Sequence, residues 1–259
     1  MTGTAEERFT RESITWIHPW TPHLFSFRIT RPKSYRFTAG QFARLGVEKP
    51  DGSIAWRAYS MVSGPYDDAL EFYSIVVPDG EFTTQLARLT VGDTLLIEKQ
   101  NHGFLTLSRF TQGRDLWLLS TGTGIAPFLS ILADPAAWED YATIVLVHSV
   151  RESVELAYRD HIQALATHDL FAEHAHKLIY IPVVTRDMIP GMLSSRITQL
   201  IEQGELEDRA GLRLDLDNSR IMLCGNPDMV DDTRRLLKAR GFRTSRQSAP
   251  GQIAVENYW

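Results

Sequence analysis

Between residues 14 and 107 the chain alternates apolar and polar positions in short bursts, with runs at 24–29, 41–47, 56–62, 70–77 and 95–99. Each burst has strand length, and Pro50-Asp51-Gly52-Ser53, Gly64-Pro65-Tyr66-Asp67-Asp68 and Pro78-Asp79-Gly80 supply turn chemistry between them. Many short strands joined by Gly/Pro turns predict a small antiparallel β-barrel. Residues 83–89 break the rhythm, because Leu86 and Leu89 fall at helical spacing after the loop Gly80-Glu81-Phe82-Thr83-Thr84. Such a loop can present N–H groups and Thr hydroxyls to an anion, or it is a plain helix cap.

After Arg109 the pattern changes to continuous apolar runs: Leu116-Trp117-Leu118-Leu119, Ile144-Val145-Leu146-Val147, Leu178-Ile179-Tyr180-Ile181 and Ile221-Met222-Leu223-Cys224. Runs without alternation are expected of parallel strands covered on both faces. Helical stretches separate them. Val154, Ala157, Tyr158, Ile162 and Leu165 read as one apolar stripe, and Asn226-Pro227-Asp228 opens a helix with a cap, a proline at its first position and a first-turn acid. The expected architecture is two-domain: an antiparallel β-barrel over residues 1–108, then an α/β doubly wound parallel-sheet domain over 109–259.

Composition narrows the chemistry. A length of 259 residues suits two domains, and a net charge of −5 argues against sequence-independent binding to nucleic acid. The N-terminus lacks a basic, then apolar, leader and no stretch approaches ~18 consecutive apolar residues, so a soluble cytoplasmic protein with no membrane partner is expected. Cys224 is the only cysteine, which excludes an internal disulfide and an iron–sulfur cluster ligated by this chain's cysteines alone. The His residues show no metal-ligand spacing, so no metal is expected. If the protein handles electrons, an organic cofactor must carry them.

Several stretches hold candidate chemistry. In Trp56-Arg57-Ala58-Tyr59-Ser60-Met61, alternate side chains share a face, so Arg57 and Tyr59 project together with Ser60 beside them. Arg57 can pair with a pyrophosphate, Tyr59 can stack on a flat ring and Ser60 can hydrogen-bond its edge; the alternative is an ordinary barrel strand. Thr121-Gly122-Thr123-Gly124-Ile125-Ala126-Pro127 follows the first apolar run and opens a helix, so backbone can approach a phosphate there, although Pro127 replaces the third glycine of the dinucleotide fingerprint. Arg151 after His148-Ser149-Val150, Arg186 after Thr185, and Arg196 after Ser194-Ser195 all follow apolar runs. Arginine where an acid would bind a free ribose favours NADP(H) over NAD(H). Cys224-Gly225-Asn226-Pro227 ends the last run, where Cys224 is either a thiol at a cleft mouth or a buried apolar residue.

Together these pieces resemble the ferredoxin/flavodoxin–NADP(+) reductase family, bacterial type with a C-terminal Tyr-Trp. The matching residues are Arg57 to Ser60, Glu81 to Thr83, Gly122 to Phe128, Cys224 to Pro227, and Val255-Glu256-Asn257-Tyr258-Trp259. The resemblance implies FAD held by Arg57, Ala58, Tyr59 and Ser60, with Tyr73, Ser74, Ile75 and Val76 on the next strand. It adds Glu81, Phe82 and Thr83 in the phosphate loop and Thr123 on the nicotinamide side. For NADP it implies Val150, Arg151, Thr185, Arg186 and Arg196, with Gly225, Asn226 and Asp232. Ser60, Cys224, Glu256 and Tyr258 stand nearest the hydride path, Tyr258 covers one flavin face, and Trp259 stacks on the adenine. Plastid-type members end at the Tyr, so Trp259 departs from their pattern.

The activity so implied is hydride transfer from NADPH to FAD, followed by single electrons to ferredoxin or flavodoxin. A monomer is expected. The basic segment Arg234, Arg235, Lys238, Arg240, Arg243 and Arg246, with no acid between Thr233 and Pro250, reads as a docking face for an acidic carrier or as a solvated helix face. A reductase of ferric chelates or other small acceptors, or a non-catalytic redox-sensing module, remains an alternative.

Overall fold

The computed structural model describes residues 8–246 and 248–257. In the first half, β1 (Phe9–Pro19), β2 (Leu24–Thr30), β3 (Phe42–Glu48), β4 (Ile54–Ser60), β5 (Ala69–Ile75) and β6 (Thr94–Glu98) form one antiparallel sheet in the order β4-β3-β6-β1-β2-β5. Just past β4, Met61 bridges to Phe72 of β5, so the edge strands meet and the sheet curls into a barrel. Phe27 and Ile29, Leu45 and Val47, Leu70 and Phe72, Leu95 and Ile97 fill its interior. Their two-residue spacing is the pleat expressed as burial.

Two departures from the sequence pattern fall in this half. β1 gives no clean alternation, because its pairing with β2 shifts register between Ile14 and Trp16 and polar Arg11, Glu12 and Ser13 lie within it. The helix expected over 83–89 is the single turn α1 (Thr83–Leu86). Beyond it the N–H groups of Arg88 and Leu89 reach back three residues instead of four, to Gln85 and Leu86.

The second half contains β7 (Asp115–Thr121), α2 (Ala126–Leu132), α3 (Pro135–Asp140), β8 (Thr143–Val150), α4 (Arg159–Ala164), β9 (Leu178–Val184), α5 (Ile197–Glu202), α6 (Glu205–Ala210), β10 (Ser219–Gly225), α7 (Pro227–Ala239) and β11 (Ile253–Asn257). All five strands pair in parallel, in the order β11-β10-β7-β8-β9. Burial on both faces explains the unbroken apolar runs. Leu116, Leu118, Ile144 and Leu146 face α2, α3 and the barrel side, whereas Trp117, Leu119, Val145 and Val147 face the side of α5 and α7. β11 was not signalled by any apolar run; it sits on the sheet edge beside β10, with Glu256 opposite Cys224.

The expected stripe from Val154 to Leu165 is not one helix. Val154 is 65% exposed in a short 3-10 turn, and α4 begins only after Tyr158, which has a left-handed backbone (φ +63°). Ala157, Tyr158, Ile162 and Leu165 are still buried together in a core that extends to Leu24, Val62 and Tyr73 of the barrel. The two halves therefore share packing. Ser130 Oγ of α2 also donates to the Ser63 carbonyl at 2.8 Å.

Candidate functional site

The strand order reverses between β7 and β10, and ligands of open α/β sheets bind outside the carboxyl ends at such a switch. Two loops meet there. Gly124, after β7, lies so close to β10 that a Cβ on it would sit 2.4 Å from the Cys224 carbonyl oxygen. Gly225, at φ +133°, would put a Cβ 2.2 Å from Thr121 Oγ1, and that hydroxyl accepts from the Asn226 N–H at 2.8 Å. Only glycine permits this approach. By contrast an added Cβ on Gly122 (φ +53°) meets nothing within 4 Å, so one side of the turn is open.

The barrel supplies the facing wall. Arg57, Ala58, Tyr59 and Ser60 of β4 and Tyr73, Ser74 and Ile75 of β5 line a cleft with Val77 and Thr83, and Thr123, Gly124, Ala126 and Gly225 close it from the other domain. The cleft encloses about 550 Å³, its open mouth included. Arg57 is exposed beside it and Ser60 is buried. Tyr59 is wedged against Phe27, Phe72 and Phe82, at 6.2, 6.4 and 5.4 Å between ring centroids, and its hydroxyl meets Ser74 Oγ at 2.8 Å. Burial pushes its phenol up to about 12. The Tyr73 hydroxyl is buried with no hydrogen-bond partner among the described residues. A cation, hydroxyls, aromatic rings and an unsatisfied buried phenol around a cleft opening onto a glycine turn fit a flavin nucleotide.

Some sequence-chosen residues lie elsewhere. The Glu81 carboxylate is turned to Lys49 at 2.6 Å, Phe82 is buried in the barrel core, and Val76 is not on the cleft wall. Thr83 Oγ1 accepts from the Val77 N–H at 3.1 Å, closing the loop 77–83 on itself. Val77, Gly124 and Ala126 also line the cleft, and the glycine-turn motif contains the signal for the last two. Cys224 is fully buried, and burial, then the Glu256 carboxylate, push its thiol well above the ordinary value. Gly103 leaves the room Glu256 needs, since a Cβ there would lie 2.8 Å from Glu256 Oε1. Tyr258 and Trp259 lie outside the described residues.

At the ends of β8 and β9, Arg151 and Arg186 are exposed and adjacent, the Arg186 N–H donating to the Arg151 carbonyl at 2.8 Å. Val150 accepts from the Thr185 N–H at 3.0 Å and from its hydroxyl at 3.2 Å. Asp187, which the sequence did not single out, ties these loops together by accepting from the Ser153 N–H at 2.6 Å and its hydroxyl at 2.8 Å, bonds that hold its carboxyl below the ordinary value. Arg196 is exposed immediately before α5. Asn226 caps α7 by accepting from the N–H groups of Asp228 at 2.9 Å and Met229 at 3.3 Å, and Asp232 pairs with Arg235. The segment 234–246 is less basic in space than in sequence. Arg234 pairs with Asp231 and Arg240 with Glu207, acids from the preceding turn of α7 and from α6.

A barrel and a doubly wound nucleotide domain sharing one cleft define a two-domain flavin- and nicotinamide-dependent oxidoreductase. Residues 19–102 match the model of an oxidoreductase FAD-binding domain, and 118–235 that of an oxidoreductase NAD-binding domain. Over 249 residues the chain is 41% identical to a ferredoxin–NADP reductase of Pseudomonas aeruginosa, covering 95% of each chain. It is 40% identical over 247 residues to the flavodoxin/ferredoxin–NADP reductase of Escherichia coli K12, covering 95% of this chain and 97% of that one. A ferredoxin NADP+ reductase from Neisseria gonorrhoeae, solved with bound FAD and NADP, superposes with a TM-score of 0.91 at 42% identity, covering 98% of this chain and all of the other. The chain belongs to the ferredoxin–NADP reductase family.

Proposed function

We propose that this chain is an FAD-dependent oxidoreductase that passes hydride from NADPH to FAD and then single electrons to ferredoxin or flavodoxin. The observation that carries this reading is the shared cleft, in which the Arg57 to Ser60 strand of the barrel faces the Thr123-Gly124 turn and Gly225 of the nucleotide domain. When bound, FAD supplies the exchange between two-electron and one-electron chemistry. The chain supplies positioning. Arg57 holds the diphosphate with a charge-assisted pair, Tyr59 and Tyr73 wall the ring, and Ser60 orients its edge through a hydroxyl. Arg151, Arg186 and Arg196 hold the 2′-phosphate that distinguishes NADPH from NADH. Glu256 and Cys224, side by side on β11 and β10, would back the nicotinamide end behind Gly225. Tyr258 and Trp259 are assigned to the flavin face and the adenine on the sequence resemblance alone.

We place the domain boundary at residues 108/109, within the 3-10 turn Leu107–Arg109 between β6 and β7. No helix among the described residues is long and apolar enough to cross a membrane, and a cytoplasmic site of action and a monomer belong to the same reading. An acidic carrier docking on basic residues that make no ion pair among the described residues, such as Lys238, Arg243 and Arg246, is part of it too.

The test is the purified protein's flavin content together with NADPH-driven reduction of ferredoxin and flavodoxin, compared with ferric citrate. One FAD per chain and faster turnover with a protein carrier are expected. Arg57→Ala should weaken FAD retention by roughly 1.5–3 kcal/mol, the worth of a hydrogen bond to a charged group. A colourless protein without NADPH oxidation would overturn the reading. Full FAD affinity in Arg57→Ala would overturn the role of Arg57.

A further inference from the structure

Tyr158 is one of two non-glycine residues with positive φ among the described residues; the other is Asp79, in a turn where an Asp tolerates that conformation. A tyrosine gains no such local relief, so a strained backbone here must be held by its surroundings. What holds it lies in the other domain. The side chain is 5% exposed and passes from the start of α4 into the barrel strands β2 and β5. Its hydroxyl donates to Glu71 Oε1 at 2.7 Å and meets Ser26 Oγ, and its ring packs on Trp20 and Tyr73 with centroids 5.1 and 5.4 Å away.

From Trp20 to Glu71 the bonds run in one direction, and Arg28 meets the same carboxylate from the other side. Trp20 Nε1 donates to Ser26 Oγ at 2.8 Å, Ser26 donates to the Tyr158 oxygen, Tyr158 donates to Glu71, and Arg28 Nε donates to the other Glu71 oxygen at 2.7 Å. Ser26 and Glu71 are 0% and 8% exposed, so bonds aligned head to tail strengthen one another here more than they would in water. Burial and the Glu71 carboxylate push the phenol well above its ordinary value, so it remains a donor.

One of the two strands it grips, β5, also makes the cleft wall. Ser26 and Tyr73 are direct cross-strand partners, as are Arg28 and Glu71. Tyr73 lines the cleft, and the neighbouring Ser74 holds the Tyr59 hydroxyl. We propose that Tyr158 is a positioning residue for hydride transfer: it keys the nucleotide domain onto β2 and β5, and through Tyr73 it fixes the cleft wall against which flavin and nicotinamide align. This rests on the function proposed above. Tyr158 does not line the cleft and acts by fixing the geometry between domains.

The experiment uses the full-length holoenzyme and Tyr158→Phe, which keeps the ring and removes the one hydroxyl that reaches Ser26 and Glu71. Turnover of NADPH with ferricyanide as acceptor should fall roughly tenfold, the scale expected of a sub-ångström misalignment, while KM for NADPH stays within about twofold. The visible circular dichroism of the bound flavin and its long-wavelength absorbance with NADP+ should both change. Glu71→Gln, which removes the charged acceptor but keeps the shape, should lose part of the same turnover, and the double variant should be no worse than Tyr158→Phe alone. Wild-type turnover and spectra in Tyr158→Phe would overturn the proposal, as would strictly multiplicative losses in the double variant. If Tyr158→Phe does not fold, an unaltered kcat and spectrum in Glu71→Gln overturn it instead. A wild-type protein that binds no FAD would sink the proposed function; a yellow, active wild type matched by Tyr158→Phe would sink this inference alone.

Discussion

Gly124→Ala isolates the closest contact between the two loops of the site. Gly124 does not have a positive φ, so the substitution adds no backbone strain and tests sterics alone. The new Cβ would meet the Cys224 carbonyl oxygen at 2.4 Å, its carbon at 2.6 Å and Gly225 Cα at 2.6 Å. All three are backbone atoms, so no side chain can swing aside. Reaching the 3.0 Å floor for real Cβ contacts needs a movement of at least about 0.6 Å, between the β7 turn and the end of β10. Overpacking of this kind costs roughly 1–3 kcal/mol. For a chain of this size that corresponds to a melting temperature lower by roughly 3–10 °C. The larger effect is on the cleft, since Gly124 and Gly225 both line it and a displacement approaching 1 Å can reduce rate by about 10²-fold. Thermal unfolding, FAD retention and NADPH oxidation should be measured beside Gly122→Ala. There the added methyl meets open space at φ +53°, so only the left-handed backbone is penalised, by roughly 1–2 kcal/mol. Turnover should therefore fall much further in Gly124→Ala than in Gly122→Ala. Wild-type melting and turnover in Gly124→Ala would refute the close approach itself.

The remaining predictions are narrower. Arg151→Ala and Arg196→Ala should each raise KM for NADPH by roughly 10- to 100-fold, the loss of one charge-assisted bond, and barely alter NADH kinetics; equal losses with both would show damage to the fold instead. His148 is fully buried, its Nε2 donating to the Gly122 carbonyl at 3.1 Å, and burial lowers its value from 6.5 to about 4. The unfolded chain therefore takes up the proton first, so the contribution is whole above about pH 6.5, declines as pH falls and is gone below about 4. That difference amounts to about 3 kcal/mol. His148→Gln, which can restore the donor without titrating, should flatten this part of the pH–stability curve, and an unchanged acid dependence would exclude His148 as its source.

The two-sheet architecture was legible in the hydrophobic pattern of the chain. Period-two bursts with Gly/Pro turns, then continuous apolar runs, are direct consequences of a sheet buried on its inner face and a sheet buried on both. Strands from 24 to 99 were placed within about two residues of β2 to β6, because local pattern and tertiary burial agree there. The glycine turn after β7 and the Asn226 cap of α7 were also legible, since both are local chemistry. β1 and β11 were not: the first loses its alternation to a register shift against β2, and the second is a short edge strand whose partner, β10, lies nearly thirty residues earlier. The Arg234–Asp231 pair is local, one turn apart on α7, whereas only the folded chain brings Arg240 to Glu207 on another helix. The tertiary structure also broke the expected helix at Tyr158. An apolar stripe records that a residue is buried but not against what, and Tyr158 is buried against Ser26 and Glu71, which lie 132 and 87 positions away in the chain. The residues that hold one domain against the other carry no sequence signature, because what selects them is a surface that exists only after both domains have folded.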